Sequence, residues 1–302
     1  MSYKKVFKFA ISSILVISFA AAVLSAGIRR HDVKEEQYLD LAKQKQFDCV
    51  GHIFQDTIPG ATCVLISDRY VLSAAHCFID SDIRIDTLKI DGLTYYVNQP
   101  INERVTDITK CSFQFNGTKA KGKRLIMHPN FRDSLTKGTC DIAVIELAEP
   151  ITNIIPAKLS TSFDELNSNV VGVGFGASGP ANKPEKVDFH NLKIAGENTI
   201  DSLGDVQYNN LPSLMYCDFD HPKRKDCNRM GSPIPLPLEY LSTGGDSGGG
   251  LFRQNGNEWE LIGIGPGGGT NVDVFRKTGY YGQIMEWRRV SVFADWIKEQ
   301  MK

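Results

Sequence analysis

The stretch TGGDSGGG, residues 243–250, places one carboxylate and one hydroxyl among glycines. Glycine loses more conformational freedom on folding than other residues, so this run indicates a backbone held in a demanding conformation. A serine attacks a carbonyl carbon when a base takes its proton and N–H groups bind the oxygen that becomes negative. Glycines let the main chain aim two N–H groups at one point, and Gly245 and Ser247 are the expected donors. We interpret Ser247 as a candidate nucleophile for acyl transfer.

Two upstream segments could supply the base and the acid that orients it. His76 lies in VLSAAHC, residues 71–77, where small residues leave room around the imidazole. Asp141 opens the apolar strand of CDIAVIEL, residues 140–147, where a carboxylate is costly unless it is paired. One interpretation is a structural histidine and a strand-end cap. The other is a carboxylate that accepts the imidazole N–H, fixes its tautomer and stabilises its cation.

Composition excludes some classes of protein. The 302 residues are 42% hydrophobic and 23% charged, which is ordinary for a globular protein. The net charge is −1 and no long basic stripe is present, so nucleic-acid binding has no electrostatic support. No spacing typical of a metal site occurs, and acyl transfer by side chains needs no metal or organic cofactor, so we expect none.

The first residues have the layout of a secretory signal peptide. Lysines precede an apolar run from Phe9 to Leu24, and small residues follow, with Ala26 the expected cleavage position. The alternative is an uncleaved anchor, although the run is short for a bilayer span of about 20 residues. We therefore predict a signal peptide at residues 1–26, a secreted or periplasmic protein, and no membrane association after the signal is removed.

Seven cysteines follow this segment, and in an exported protein they indicate disulfides rather than metal ligands. Cys63 and Cys77 lie on neighbouring strands, so a Cys63–Cys77 bond across a hairpin is predicted. A Cys217–Cys227 bond is predicted to close a short loop. Because seven is odd, at least one thiol is free or pairs outside the chain. The unassigned cysteines are Cys49, Cys111 and Cys140.

The elements that must position these residues are mostly strands. Short apolar runs, such as ATCVLIS, RYVLSAA and NVVGVGFG, are bounded by turn residues from Phe47 onward, which predicts an all-β barrel or sandwich. Residues 31–44 are charged and fit one short helix. The segment SVFADWIKEQMK, residues 291–302, places its apolar side chains on one face, which predicts a C-terminal amphipathic helix.

Taken together, LSAAHC, DIAVIEL and GGDSGG resemble the chymotrypsin/trypsin family of serine proteases, in its chain order His, Asp, Ser. MHPNF, VVGVGFG, LIGIG and RRVSVFADWI extend the resemblance over most of the chain after the leader. The resemblance implies two packed six-stranded β-barrels and peptide-bond hydrolysis through an acyl-enzyme. It implies that His76 is the general base, Asp141 its orienting acid and Ser247 the nucleophile. The opening GIRRHDVKEEQYLDLA is more similar to secreted bacterial members of the family.

This resemblance implies a domain division. Residues 27–46 form an N-terminal leader with the short helix, and residues 47–302 form the trypsin-like peptidase domain. Its two barrels split roughly into 47–150 and 151–290, followed by the helix at 291–302.

The activation segment departs from the family pattern. Familiar members are cut to free an IVGG-like N-terminus whose amine pairs with the aspartate just before the nucleophile. Asp246 stands at that place, but the chain has no IVGG. A cut after Arg30 would free His31, or signal removal alone suffices and Arg29, Arg30 or His31 supplies the cation. The alternative is that these three residues are solvated leader.

The substrate pocket departs as well. Trypsin-like members select Arg and Lys with an aspartate six residues before the nucleophile, and Leu241 stands there. Met285 lies where the family often has glycine, and IGPGGG, residues 264–269, replaces the usual Ser-Trp-Gly wall. A Leu floor and a Met wall predict a small or apolar P1 side chain or a closed pocket, whereas Glu286 could admit a cation.

The resemblance therefore implies a secreted serine endopeptidase that acts on proteins or peptides and is not Arg/Lys-specific through a pocket-floor aspartate. One alternative is a catalytically silent homologue that binds partners, and another is a zymogen that needs a cut near Arg30. An esterase is a third alternative, since GDSGG matches the GxSxG string, but no βαβ pattern surrounds it.

Overall fold

A computed structural model describes residues 15–17, 27–90, 93–132, 139–183, 186–204, 207–265, 269–270 and 280–302. The helices are α1 (Glu35–Ala42) and α2 (Val290–Gln300). The strands are β1 (Leu15–Ile17), β2 (Ile28–Arg29), β3 (Val50–Gln55), β4 (Ile58–Leu65), β5 (Tyr70–Ser73), β6 (Ile79–Ile90), β7 (Leu93–Val105), β8 (Cys111–Phe115), β9 (Thr118–Met127), β10 (Ala143–Leu147), β11 (Lys158–Leu159), β12 (Asn169–Gly174), β13 (Gly179–Pro180), β14 (Ile194–Thr199), β15 (Ser202–Leu203), β16 (Gln207–Tyr208), β17 (Leu211–Pro212), β18 (Leu214–Asp218), β19 (Tyr240–Leu241), β20 (Gly250–Asn255), β21 (Glu258–Ile264), β22 (Gly269–Thr270) and β23 (Ile284–Arg289).

One compact unit of the chain is a long hairpin. The antiparallel strands β6 and β7 pair along almost their whole length, and β1 adds to β7 in parallel. Of the predicted signal peptide, residues 1–26, only the three residues of β1 are described; the rest lie outside the described residues. The second unit comprises Leu24–Phe78 and Asp107–Lys302 and contains every candidate site residue.

A closed six-stranded barrel makes up the first part of this second unit. Its strands follow the order β10-β5-β4-β3-β8-β9, and every neighbouring pair is antiparallel. The β4–β5 hairpin turns at Ser67, whose hydroxyl accepts the amide N–H of Tyr70 at 3.1 Å. Strand β10 is buried at four of its five residues, as its apolar sequence AVIEL predicts. The barrel thus fixes the end of β5 next to the start of β10, where Ala143 pairs with Ser73.

A larger sheet follows the barrel. Its strands run in the order β14-β12-β20-β21-β23-β18-β15, while β11 pairs with β21 and β22 with β23. The described part of this sheet is open, with β14 and β15 at the ends of the path, and corresponds to a half-barrel rather than to a closed six-stranded barrel. Helix α1 covers the β14 end, because Tyr38 packs against Ile194 and Tyr240. The predicted all-β, chymotrypsin-like fold class is confirmed.

The chain ends in helix α2, two residues shorter at its C-terminus than the predicted 291–302. Its buried face includes Val290, Phe293 and Ile297, the spacing that an amphipathic helix requires. A fully buried ion pair anchors its start, with Arg289 Nη2 at 2.6 Å from Glu165 Oε2. Ser291 donates a further hydrogen bond to Glu165 Oε1 at 2.7 Å. The carboxylate is thereby paired and hydrogen-bonded, as a buried charge must be.

Candidate active site

His76 lies on a short 3₁₀ turn, Ala75–Phe78, which continues directly from β5. The two preceding alanines are fully buried, so their small side chains let this turn pack against the barrel. The backbone N–H of His76 donates to Asp141 Oδ1 at 2.8 Å. The main chain of the turn is thus fixed by the same carboxylate that contacts the ring.

Asp141 orients the imidazole. Its Oδ2 lies 2.7 Å from His76 Nδ1, and because a carboxylate oxygen only accepts, Nδ1 carries the proton. The neutral ring then presents Nε2 as an acceptor. The side chain of Asp141 is 8% exposed and that of His76 is 41% exposed, so the carboxylate is shielded from water while the ring faces it. Burial of the carboxylate opposes its charge, but the imidazole and the Arg288 guanidinium lower the pKa of Asp141 to about 2.

Ser247 completes a continuous line of contacts. Its Oγ lies 3.0 Å from His76 Nε2, within hydrogen-bond reach of the free ring nitrogen. Although partial burial of the ring disfavours the imidazolium, the Asp141 carboxylate raises the pKa of His76 well above its usual value. The three side chains that the sequence singles out are therefore brought together, with the ring between an acceptor and a hydroxyl.

The loop that carries Ser247 is tied to the barrel by Thr62 of β4. The Thr62 N–H donates to the Ser247 carbonyl oxygen at 2.8 Å. Its hydroxyl donates to the Gly245 carbonyl oxygen at 2.9 Å and accepts the N–H of Phe175 at 3.0 Å. Thr62 is fully buried. Sequence analysis missed this residue, and its signal is a polar side chain inside the apolar run ATCVLIS.

Two glycines of the loop adopt left-handed backbone. Gly245 has φ +92° and Gly248 has φ +81°, a region that side chains other than glycine rarely enter. A Cβ at Gly248 would also overlap Ser73 Oγ and the Thr62 carbonyl oxygen. Ser73 itself donates to that carbonyl at 2.8 Å, so this contact cannot open easily. The glycine run is required by a tight turn packed on the barrel.

Arg288 is a second residue that sequence analysis missed. It lies on β23, and its side chain is 3% exposed. Its Nη2 lies 3.9 Å from Asp141 Oδ2, and its Nη1 lies 3.0 Å from Glu286 Oε1. Glu286 is therefore paired with an arginine of its own strand, and this contact gives it a partner other than the substrate cation considered above.

Asp246 faces away from solvent and accepts three backbone N–H groups. Gly176 donates to Oδ1 at 3.0 Å and Thr243 donates to Oδ2 at 3.1 Å. Burial raises the pKa of Asp246 to about 6, while these two amides and that of Gly27 lower it. In the N-terminal segment, the buried residue Gly27 thus donates a backbone hydrogen bond to Asp246.

Arg29, Arg30 and His31, named above as possible partners of Asp246, contact other groups, so the structure does not bear out that possibility. Arg29 donates to the Val33 carbonyl at 2.9 Å. Arg30 forms an ion pair with Asp32 at 2.8 Å and donates to a carbonyl. His31 Nδ1 lies 2.7 Å from the Tyr281 hydroxyl. The physical reason is that pairing of β2 with β13 and β19 fixes this segment so that Gly27, the residue before β2, reaches Asp246 and the arginines do not.

The two predicted pocket residues are both fully buried in one hydrophobic cluster. Leu241 pairs with Ile28 across β19 and β2. Met285 accepts the N–H of Ser242 on its sulfur at 3.0 Å. Both therefore have packing roles, and their part in substrate selection stays a prediction. The opposite wall, 264–269, includes residues 266–268, which lie outside the described residues.

All seven cysteines are described, and none forms a disulfide in the structure. The predicted Cys63–Cys77 and Cys217–Cys227 bonds are therefore absent from it. The Cys77 sulfur lies 3.8 Å from His76 Nε2, so this thiol is directed to the imidazole. Cys217 is fully buried in the core, and Cys227 is half-buried at its edge.

The remaining sequence expectations concern metals and membranes. Within the described ranges, no group of three or more His, Cys, Asp or Glu side chains is arranged to hold a metal ion. Over the same part of the chain, no helix has the length and apolar character needed to cross a membrane.

The fold and the arrangement of His76, Asp141 and Ser247 define the class, which is that of the chymotrypsin-like serine proteases. A sequence model of the trypsin family matches residues 40–297, and the chain belongs to this family. The family is one of serine endopeptidases, which are hydrolases.

Two relatives bear on this assignment. Phenoloxidase-activating factor 3 of Holotrichia diomphalia is 24% identical over 249 residues, which cover 79% of this chain and 63% of that protein. The chain thus spans less than two thirds of the length of that relative. The structure of neuropsin, a serine protease expressed in the limbic system of mouse brain, matches with a TM-score of 0.54. It is 17% identical and covers 91% of this chain and 99% of its own, which shows the fold. Neither relative shows the bacterial origin expected from the opening sequence.

Proposed function

We propose that the chain is a secreted serine endopeptidase in which Ser247, His76 and Asp141 form the catalytic triad. The observation that carries the proposal is the unbroken line of contacts from Asp141 Oδ2 to His76 Nδ1 at 2.7 Å and from Nε2 to Ser247 Oγ at 3.0 Å. A hydroxyl placed against the free nitrogen of an oriented imidazole is the arrangement that activates serine as a nucleophile.

In the proposed reaction, Ser247 Oγ attacks the carbonyl carbon of the scissile peptide bond and its proton passes to His76 Nε2. The imidazolium then protonates the leaving nitrogen, the C–N bond breaks, and an ester joins the substrate acyl group to Ser247. Water attacks this ester and gives its proton to His76, which returns it to Ser247 as the acid is released. Asp141 keeps the ring in one tautomer and stabilises its cation throughout.

The oxyanion of the tetrahedral intermediate is proposed to bind the N–H groups of Gly245 and Ser247. The left-handed φ of Gly245 supports this, because that backbone turn directs consecutive N–H groups to one side. The two hydrogen bonds from Thr62 hold the carbonyl oxygens of Gly245 and Ser247 against the barrel. With both carbonyls held, the peptide units on either side of them, which carry the N–H groups of Gly245 and Ser247, are preorganised, as stabilisation of a developing charge requires.

Activation is proposed to need a free amine at Gly27. Signal-peptide cleavage after Ala26 would create this amine at the residue whose backbone nitrogen already donates to Asp246. The amine would replace a neutral N–H with a cation beside a buried carboxylate, which favours the ionised form of Asp246. A Cβ at Gly27 would come within 2.8 Å of the Ile194 side chain, so the segment is closely packed there.

Forms with defined N-termini test this activation step. We expect a protein that begins at Gly27 to exceed one that begins at Ala26 at least about tenfold in kcat/KM, since the second lacks the buried charge pair. Asp246→Asn should bring both forms to the same low rate. Equal rates from the two forms, with Asp246 intact, would contradict the proposed role of Gly27.

Substrate selection is proposed to favour a small or apolar P1 side chain, because Leu241 rather than an acid precedes Ser247 by six residues. The half-buried Glu286 is paired with Arg288, which argues against its serving as the cation-selecting group. Protein and peptide substrates are those expected for the family.

Peptide-library cleavage by the form that begins at Gly27 tests the proposed function. We expect cleavage that Ser247→Ala abolishes and that Ser202→Ala, the same substitution on strand β15, leaves unchanged. No cleavage by the Gly27 form would favour the silent homologue. Cleavage only after a further cut at Arg30 would favour the zymogen alternative and overturn the activation step proposed above.

A further inference from the structure

A buried cation lies near the Asp141 carboxylate in addition to the imidazole. Arg288 Nη2 lies 3.9 Å from Asp141 Oδ2, the same oxygen that lies 2.7 Å from His76 Nδ1. The Arg288 and Asp141 side chains are 3% and 8% exposed, so little water screens this pair. One carboxylate oxygen therefore contacts the imidazole and lies near the guanidinium.

Arg288 is itself held in place by its strand and by a second carboxylate. Its backbone is in β23, paired with Leu214 of β18 and Ile264 of β21. Its Nη1 lies 3.0 Å from Glu286 Oε1, and the Glu286 side chain is 28% exposed. The guanidinium thus connects the surface acid Glu286 to the buried acid Asp141, and it cannot turn away without breaking one of these pairs.

We infer that Arg288 is a positioning residue that fixes the Asp141 carboxylate and limits how strongly this carboxylate holds the His76 proton. The inference rests on the proposed function for its effect on rate, but not for its effect on the imidazole. A carboxylate that is paired only with the ring stabilises the imidazolium by its full electrostatic attraction. When a guanidinium shares the carboxylate, the net stabilisation of the imidazolium is smaller. The imidazole can then accept a proton and also release it to the leaving nitrogen.

Charged and polar groups of the described residues lie against the reacting ring and against its neighbours. His76 is in contact with Asp141, Cys77 and Ser247. Asp141 faces His76 and Arg288, and Arg288 faces Glu286. Of the charged groups, Arg288 lowers and Asp141 raises the stability of the imidazolium. Removal of the guanidinium should therefore raise the pKa of His76, whereas removal of the Glu286 charge should lower it.

The variants Arg288→Met, Arg288→Lys and Glu286→Gln separate this role from simple packing. Methionine keeps much of the buried side-chain volume without the charge, and lysine keeps the charge. Glu286→Gln removes only the charge of the partly exposed Glu286, which pairs with Arg288, so this variant should fold. We expect opposite shifts of the His76 pKa in Arg288→Met and Glu286→Gln, of about half a unit to one unit each, and a near-normal value in Arg288→Lys.

The test is an NMR titration of the His76 ring in the protein that begins at Gly27, with Ser247→Ala in every variant so that no turnover interferes. Shifts of opposite sign would support the inference even if the Ser247 enzyme proves inactive. An unchanged His76 pKa in folded Arg288→Met, or in Glu286→Gln should Arg288→Met not fold, would overturn it.

The rate effect is measured separately with Ser247 present. Arg288→Met should lower kcat between about 10- and 100-fold through misplacement of the ring, leave KM within about twofold, and move the acidic limb of the pH profile upward. Arg288→Lys should recover most of kcat. A proportional loss in both Arg288 variants with an unmoved pH limb would contradict a positioning role.

Discussion

Thr62→Val tests whether the barrel positions the nucleophile loop. The change keeps the shape of a fully buried side chain and removes its hydroxyl, which bridges the Gly245 carbonyl oxygen and the Phe175 N–H. The Thr62 N–H that holds the Ser247 carbonyl is a backbone group and remains. The substitution therefore removes two of the three hydrogen bonds that Thr62 makes to the residues around the nucleophile.

The size of the effect follows from the two groups left without a partner. A buried donor or acceptor that loses its partner costs about 1–3 kcal/mol. The Gly245 carbonyl and the Phe175 N–H together imply a loss of roughly 2–6 kcal/mol in the free energy of unfolding, reduced somewhat by burial of the added methyl group. Since the Gly245 segment carries a proposed oxyanion donor, kcat should fall about tenfold or more while KM changes little.

Urea unfolding and steady-state kinetics measure both effects. Thr199→Val is the matched control, because Thr199 Oγ1 makes a 3.2 Å hydrogen bond to Asn169 on an exposed part of β14. We expect the control to change stability by less than about 0.5 kcal/mol and kcat not at all. A Thr62→Val protein with unchanged stability and kcat would refute the idea that the barrel holds this loop.

Three further predictions concern single residues. Gly248→Ala should lower the stability of the fold by several kcal/mol more than Gly256→Ala, because both glycines have positive φ but only the Cβ added at Gly248 would overlap neighbouring atoms. Equal losses of stability in thermal unfolding would show that this overlap is unimportant. Glu165→Gln should cost about 3–5 kcal/mol because it breaks the buried pair with Arg289, whereas Asp40→Asn, at an exposed pair with Lys43, should cost less than about 1 kcal/mol in the same denaturant assay. The pKa of Asp141, about 2, lies below its ordinary value, so the stability that its ionised form contributes is present above about pH 4 and is lost as the pH falls toward 2. Asp141→Asn should remove this loss of stability between about pH 4 and 2 in acid unfolding. An unchanged acid unfolding curve would contradict the pairing of Asp141 with His76.

The sequence allowed the candidate triad to be named because each member lies in a short segment with its own local signal. His76 follows small residues at a strand end, Asp141 opens a buried strand, and Ser247 lies between glycines. The structure brings all three within hydrogen-bond distance. Short apolar runs bounded by turn residues likewise predicted the barrel. The spacing of apolar residues predicted helix α2 to within two residues of its observed ends.

Other features depend on contacts between distant segments, which spacing along the chain does not reveal. The cation beside Asp141 is Arg288, 147 positions later on β23, and no motif connects the two. From the N-terminal segment, the amide of Gly27 rather than a nearby arginine reaches Asp246, because the pairing of β2 fixes where this segment lies. The direction of the Cys77 thiol depends on a side-chain rotamer, which sequence separation from Cys63 does not fix.

The central claim, that an oriented imidazole makes Ser247 a nucleophile, is tested most directly with a fluorophosphonate probe and mass spectrometry. In the protein that begins at Gly27, we expect one adduct, on Ser247, with no adduct in Ser247→Ala and far slower labelling in His76→Ala. A folded protein with that N-terminus and an intact triad that takes up no probe at Ser247 would contradict the account.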